Sequence, residues 1–284
     1  MKNFWVRTAS AAVYALLFIG SMYSGRLLGN ANLGTFILSC FLLFVTIGCT
    51  FEFFRMVERQ GARPNKPLGY ALSVFMFSVI AFLAVSGFSI ERMVLFAALL
   101  IVLVLVWNVL AMVQLWRKSS QPFGDAAYTM VPACYVSLPL GLMPVLNAQY
   151  NLLIVVVLLV WANDCFAYMG GSLLGRHKLW TRHSPGKTWE GTACGVVCCI
   201  LLSVFCAPFF CPDLTLTGRL VLGVLCSVVA TLGDLVESML KRSVDMKDSG
   251  NIMPGHGGFL DRFDSLLMVV PFVFVFVSFF QIFE

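Results

Sequence analysis

Nine runs of apolar residues divide the chain, at 9–28, 33–54, 68–88, 93–115, 128–146, 151–171, 192–210, 219–237 and 265–283. Each is about as long as the roughly 20 residues a helix needs to cross the hydrocarbon core of a bilayer. The polar stretches between them are mostly short. The pattern predicts an all-α integral membrane protein, a polytopic bundle of about nine transmembrane helices. Pro132, Pro139 and Pro144 interrupt the fifth run. Such residues survive in a span only where neighbours satisfy the freed backbone groups, which predicts a kinked helix there.

Composition sharpens this picture. With 60% hydrophobic and only 12% charged residues, and a mean hydropathy of +0.89, the chain lies far from the balance of a soluble domain. The net charge of +5 does not point to nucleic acid, because the basic residues sit in short loops rather than in a stripe or tail. Assigned to alternate loops, 16 of the 19 Lys and Arg residues fall on one side, and only Arg26, Arg92 and Arg219 fall on the other. By the positive-inside rule the N-terminus is cytoplasmic and the C-terminus external. Were the proline-rich fifth run not to cross, the parity of every later loop would flip and the asymmetry would be lost. Lys2 and Arg7 before an apolar stretch resemble a signal peptide, but no small-residue cleavage site follows, so a retained first helix is expected. Of ten cysteines most lie in apolar runs and none forms a CxxC pair, which reads as structural thiols rather than a metal site or disulfide framework.

Against this apolar background the acidic residues stand out. Asp164 lies about 12 residues into the sixth run and Asp234 about 15 into the eighth, some 18–22 Å from the outer surface at 1.5 Å per residue. A carboxylate within a span costs a few kcal/mol and requires a partner or a function. Glu237 follows Asp234 by one turn, and Asp261 and Asp264, also three apart, flank the start of the last run. From Ser238 to Asp264, nine of 27 residues are Lys, Arg, Asp or His. Gly250, Gly255, Gly257 and Gly258 in that stretch suit close approach of the backbone to a ligand, and a cytosolic phosphate is the ligand they suggest. Paired carboxylates beside cations are what metal-assisted phosphoryl or nucleotidyl transfer needs. Buried ion pairing and headgroup anchoring are the structural alternatives for these groups.

These residues carry a family resemblance. The run SMLKRSVDMKDSGNIMPGHGGFLDRFD from Ser238 resembles the signature of phosphatidate cytidylyltransferases (CDP-diacylglycerol synthases), of the form S-x-x-K-R, K-D, H-G-G-x-x-D-R-x-D. WANDCFAYMGG from Trp161, HSPGKTWEG from His183 and GDLVES from Gly233 resemble further blocks of that family, and Glu52 and Arg55 in EFFR its weaker N-terminal motif. Met253 departs from the usual Ile or Leu. The resemblance is strong over most of 150–270, while the first half matches mainly by hydropathy.

It implies a single polytopic domain over 1–284, with N-terminal helices in 1–150 and catalytic helices and cytoplasmic loops in 151–284. It implies the reaction of CTP with phosphatidic acid to give CDP-diacylglycerol and pyrophosphate, in the bacterial inner membrane with the site facing the cytoplasm. Asp234 and Asp261 are expected to bind Mg2+, with Asp264 as a further ligand and Asp164 beside them; a second cation such as K+ and a homodimer stay open. Lys241 and His256 join these carboxylates as catalytic candidates, although His256 in Pro-Gly-His-Gly-Gly serves equally well as a turn residue. Ser184, Asn163, Lys187, Arg242, Lys247, Asp248 and Arg262 are expected to contact substrate.

Three other motifs carry less. Gly186-Lys187-Thr188 ends like a Walker A loop, but position 181 is Thr and no βα context is expected. Gly171 with Gly175, and Gly191 with Gly195, have the spacing of close helix packing. A CTP-dependent polyprenol kinase would share nucleotide and metal but transfer the γ-phosphate, and a secondary transporter would explain intramembrane carboxylates; the complete C-terminal signature argues against the first and the lack of repeats against the second.

Overall fold

The computed structural model describes residues 2–86, 90–117, 119–250, 252 and 257–279. His256 and Met253 lie outside the described residues. Among these the chain forms α1 (Lys2–Leu27), α2 (Ala31–Arg59), α3 (Lys66–Ser86), α4 (Ile90–Val113), α5 (Pro122–Pro132), α6 (Leu138–Tyr150), α7 (Leu153–Leu174), α8 (Trp189–Cys206), α9 (Leu216–Ser243) and α10 (Leu260–Phe279). Helices α5 and α6 are joined end to end by a π-helical turn, Ala133–Ser137, so the described residues form nine rods matching the nine apolar runs. That turn is the form the proline interruption takes. The pyrrolidine ring of Pro139 offers no N–H to the ladder, and Ser137 Oγ donates to the Pro132 carbonyl at 3.3 Å.

The rods overrun the apolar runs at several ends. Helix α2 continues past position 54 to Arg59, α9 past 237 to Ser243, and α10 begins at Leu260 rather than 265. Polar residues expected in loops or at interfaces, among them Arg55, Lys241, Arg242, Asp261 and Asp264, therefore stand on helical turns with fixed spacing. Local chemistry sets several starts and stops. Asn30, Thr188 and Thr215 cap α2, α8 and α9 by accepting from Leu33, Gly191 and Gly218 N–H groups. Asn151, at φ 50°, ends α6 in the left-handed conformation, and the short link to Leu153 folds α7 back beside it.

Five of these rods are long and apolar enough to cross a membrane: Ala31–Arg59, Pro122–Tyr150, Leu153–Leu174, Trp189–Phe209 and Leu216–Ser243. Large apolar side chains such as Leu16 (72% exposed) and Phe205 (68%) point away from the protein, as they would toward lipid. The chain is an integral membrane protein. The loops gather at two ends. At one, Gln60 donates to Ser243, Tyr128 donates to Gln60, and Asp125 accepts from the Arg63 N–H. At the other, Arg26 donates to Asn151, and Cys211 Sγ to the Tyr150 carbonyl. This is the alternation that the basic residues predict.

A continuous apolar core reaches from α1 through α10, with Phe18, Leu38, Met143, Val157, Leu222 and Phe263 fully or almost fully buried. Rings of Tyr14 and Phe18 meet Phe263 edge-on at 5.7 and 5.5 Å, which seats the start of α10 against α1. Helices α7, α8 and α9 pack mutually, and α10 lies against α9, α6 and α2. The α7–α8 contact is close because Gly171, Gly191 and Gly195 carry no Cβ: on Gly195 it would meet Asn163 Oδ1, and on Gly191 the Gly171 backbone at 2.9 Å.

The all-α expectation needs one addition. Between α7 and α8 the chain forms an antiparallel ribbon, β1 (Lys178–Trp180) and β2 (Ser184–Thr188), and β2 runs directly into α8. The ribbon is too short and too polar to show a strand period. Contrary to expectation, Gly186-Lys187-Thr188 has a βα context in part, but these residues are the strand itself, with no glycine-rich loop between strand and helix.

Candidate active site

One polar stripe organises the site. On α9, Ser227, Thr231, Asp234, Ser238 and Lys241 recur at alternating steps of four and three, which places them along one helix face. Asn163 of α7 meets its inner end: Asn163 Oδ1 accepts from Ser227 Oγ at 2.5 Å and Nδ2 donates to Thr231 Oγ1 at 3.3 Å. Both partners fix the amide's orientation. Further along, Ser238 Oγ donates to Asp234 Oδ1 at 3.3 Å.

The ribbon delivers a cation to this stripe. Glu190, in the first turn of α8, accepts from the Arg176 and His177 N–H groups and lies 2.6 Å from His177 Nδ1, while the Trp189 N–H donates to the His177 carbonyl. With the ribbon pinned at its base, Lys187 on β2 reaches Asp234 Oδ2 at 2.7 Å and donates to the Thr231 carbonyl at 3.2 Å. The cleft enclosed here has a volume of about 380 Å³, and Asn163, Asp164, Ser184, Lys187, Thr231 and Asp234 are among its lining residues. That is within the usual few-hundred Å³ range of small-molecule sites.

Beyond Asp234 the carboxylates continue inward. Oxygens of Asp234, Glu237 and Asp264 all lie within 4.8 Å of one another. Glu237 is fully buried; its Oε2 is 2.6 Å from Lys241 Nζ, and its Oε1 has no hydrogen-bond partner among the described residues. Lys241 also donates to Asp261 Oδ1 at 2.7 Å and so bridges two acidic groups with one ammonium. A set of hard oxygen donors with one uncommitted buried carboxylate oxygen is the chemistry of a divalent-cation site of the Mg2+ kind.

Asp261 stands apart from that trio. Its Oδ2 accepts from the N–H groups of Ser249 and Gly258, each at 2.8 Å, and lies 2.9 Å from Ser249 Oγ. Glu52 on α2, 1% exposed, reaches the same segment: its oxygens accept from Phe259 N–H at 3.0 Å, Leu260 N–H at 2.9 Å and Ser249 Oγ at 2.9 Å. Three of the four glycines that suggested a phosphate cradle are explained here, and Gly255 lies outside the described residues. A Cβ on Gly250 or Gly258 would run into the Glu52 carboxylate, and one on Gly257, at φ +80°, into Asp261 Oδ2. These glycines make room for the protein's own carboxylates.

Of the residues expected from sequence, Asp164, Asp234, Asn163, Ser184 and Lys187 meet in the cleft, and Asp264, Lys241 and Asp261 adjoin it through Glu237. Arg262 lies in the first turn of α10 between Asp261 and Asp264. Arg242 instead donates to the Met246 carbonyl at 2.9 Å and braces the turn after α9. Lys247 and Asp248 line a separate cavity of about 260 Å³ with Arg55 and Arg59. Ser227 and Thr231 had no sequence signal beyond helical spacing, while Ser249, Glu52 and Glu237 lie in the family-like run from Ser238, in EFFR and in GDLVES with nothing there to mark these contacts.

In this α-helical membrane protein carboxylates and a lysine converge on a polar cleft, and the comparisons with known proteins give its class. The model of the cytidylyltransferase family matches residues 5–280, and the chain belongs to that family. It is 35% identical over 238 residues to a phosphatidate cytidylyltransferase of Bacillus subtilis (strain 168), a stretch covering 81% of this chain and 85% of that one. Proteins of the same name from Staphylococcus epidermidis (strain ATCC 12228) and Staphylococcus saprophyticus are 40% and 39% identical over 157 residues; there the match spans 54% of this chain and only 60% of each relative.

Proposed function

We propose that this enzyme is a phosphatidate cytidylyltransferase, which joins CTP and phosphatidate to give CDP-diacylglycerol and pyrophosphate in phospholipid biosynthesis. The observation that carries the reading is the convergence of Lys187, Asp164 and Asp234 on one polar cleft continuous with the Asp234, Glu237 and Asp264 oxygens.

A phosphate oxygen of phosphatidate attacks the α-phosphorus of CTP; that P–O bond forms as the bond between the α-phosphorus and the α–β bridging oxygen breaks, and pyrophosphate leaves with the electron pair. The attacking monoester is already anionic near neutral pH, so no general base is required. The obstacle is repulsion between two polyanions, which positioned cations must offset. Lys187 is placed to contact phosphate oxygens in the cleft, with Asp234 holding its ammonium in position. Asn163 and Thr231 fix the wall against which the nucleotide lies. Asp234, Glu237 and Asp264 fit Mg2+, which when bound neutralises phosphate charge; Asp261, expected as a ligand, would enter that set only by leaving its present partners. Lys241 holds Glu237 and Asp261 at fixed separation. The domain is read as one polytopic unit over 1–284, with the catalytic groups in its second half and Glu52 from its first.

The acceptor tests the reading. Purified protein in detergent, given CTP and Mg2+, is expected to form a cytidine-containing lipid from phosphatidate and none from diacylglycerol, which has no phosphate to attack. Phosphatidate formed from diacylglycerol with release of CDP, and no cytidine-containing lipid from phosphatidate, would replace the reading by a kinase.

The site is proposed to face the cytoplasm of the bacterial inner membrane, from the 16-to-3 division of basic residues. Reporter fusions after Lys66, Lys118, Lys187 and Lys247 are expected to read cytoplasmic and one at Glu284 external. A cytoplasmic reading at Glu284 would overturn this orientation.

A further inference from the structure

We propose that Glu52, far from the signature segment in sequence and outside the cleft, is a positioning residue for the reaction: it ties Ser249 to the start of α10 at Phe259 and Leu260, so that Asp261 holds Lys241 against Glu237. This rests on the reading of the site as a cytidylyltransferase centre.

The connections run through contacts of 3.0 Å or less. Glu52 accepts the Phe259 and Leu260 N–H groups at the start of α10, a helix end that otherwise leaves its first donors unpaired. It also accepts from Ser249 Oγ, and the same hydroxyl lies 2.9 Å from Asp261 Oδ2. One carboxylate therefore ties α2 both to the turn at Ser249 and to the first turn of α10. Asp261 has its Oδ2 filled by donors at Ser249 and Gly258, which leaves Oδ1 facing Lys241 at 2.7 Å. Lys241 in turn is 2.6 Å from Glu237, whose oxygen lies with those of Asp234 and Asp264. Loss of these ties would move Asp261, free Lys241 from one of its two anchors and shift the carboxylate trio.

The fit around Glu52 is specific to a carboxylate. Its two oxygens are met by three donors, and an amide in its place would present an NH2 to one of those donors rather than an acceptor. The bare backbones of Gly250 and Gly258 leave the space these oxygens fill. A merely space-filling residue would need neither.

Steady-state kinetics of Glu52→Gln and Ser249→Ala test the proposal in purified full-length protein, with thermal midpoint measured alongside. For Glu52→Gln we expect kcat to fall about 10- to 100-fold, the range for residues that orient functional carboxylates, with KM for CTP within about twofold of wild type. Ser249→Ala removes one hydroxyl and is expected to lower kcat about fivefold, the equivalent of one hydrogen bond, with its thermal midpoint close to wild type. Glu52→Asp, which keeps the charge but is one methylene short, is expected to recover part of the kcat lost in the Gln variant. Wild-type kcat in both Glu52→Gln and Ser249→Ala would overturn the proposal. So would losses that track the thermal midpoint, with kcat and KM impaired together, since those mean that Glu52 only holds the fold. Should Glu52→Gln not fold, the kcat of Ser249→Ala decides alone. Wild-type protein without cytidylyl transfer would instead overturn the reading of the site.

Discussion

Asp234→Asn is expected to lower turnover by at least about 100- to 1,000-fold while leaving the protein folded and inserted, the scale seen when one preorganised electrostatic group is removed from a reacting centre. The amide keeps the shape of the side chain and loses the charge that Asp234 contributes at two places, to Lys187 at 2.7 Å and to the cluster with Glu237 and Asp264. Stability is expected to change little, because both partners of the Lys187 pair retain partial access to water, where such a pair is worth about 0–1 kcal/mol. The readouts are product formation and thermal midpoint in the same detergent preparation. Turnover near wild type would move the centre away from Asp234.

Lys241→Met is expected to act on stability as well as on activity. The lysine is 12% exposed at its side chain and faces a fully buried Glu237 on one side and Asp261 on the other. Methionine keeps much of the apolar stem and takes away the ammonium, which leaves two carboxylates without their cation. Breaking a buried pair from one side costs about 3–5 kcal/mol, since the remaining charge stays uncompensated. Unfolding midpoints of the single variant and of Lys241→Met combined with Glu237→Gln separate this from lost packing: the double variant is expected to regain part of the loss. A single variant as stable as wild type would mean that the charges around Lys241 are compensated otherwise.

Much of this architecture is legible in sequence because a bilayer admits few solutions. Nine apolar runs correspond to nine rods among the described residues, and the sorting of Lys and Arg anticipated which loops meet at each end. Asp164, Asp234 and Lys187 were visible for a related reason: carboxylates are conspicuous in apolar runs, and all three residues fall in family-like blocks. What stayed hidden depends on contacts across the fold. Glu52 falls in the EFFR block that resembles the family's weaker N-terminal motif, yet nothing local says that it reaches α10 some 200 positions later. The glycines of the signature segment allowed either an incoming phosphate or an internal carboxylate, and only the tertiary placement of Glu52 and Asp261 decides for the described ones. The ribbon at Lys178–Thr188 escaped because two short polar strands leave no alternation to count. Arg242, Lys247 and Asp248 belong to the same signature as Lys241, yet the end of α9 turns them to another side.

The fate of the phosphorus atoms distinguishes cytidylyl transfer from every other use of CTP. With phosphatidate, Mg2+ and CTP labelled at the α-phosphorus, the lipid product is expected to carry the label, because the nucleophile keeps the phosphorus it attacks; with the label at the γ-phosphorus, it is expected in pyrophosphate and not in lipid. Chelation of the metal is expected to stop both. Lipid labelled from the γ position, with CDP released, would contradict cytidylyl transfer and make the protein a CTP-dependent kinase.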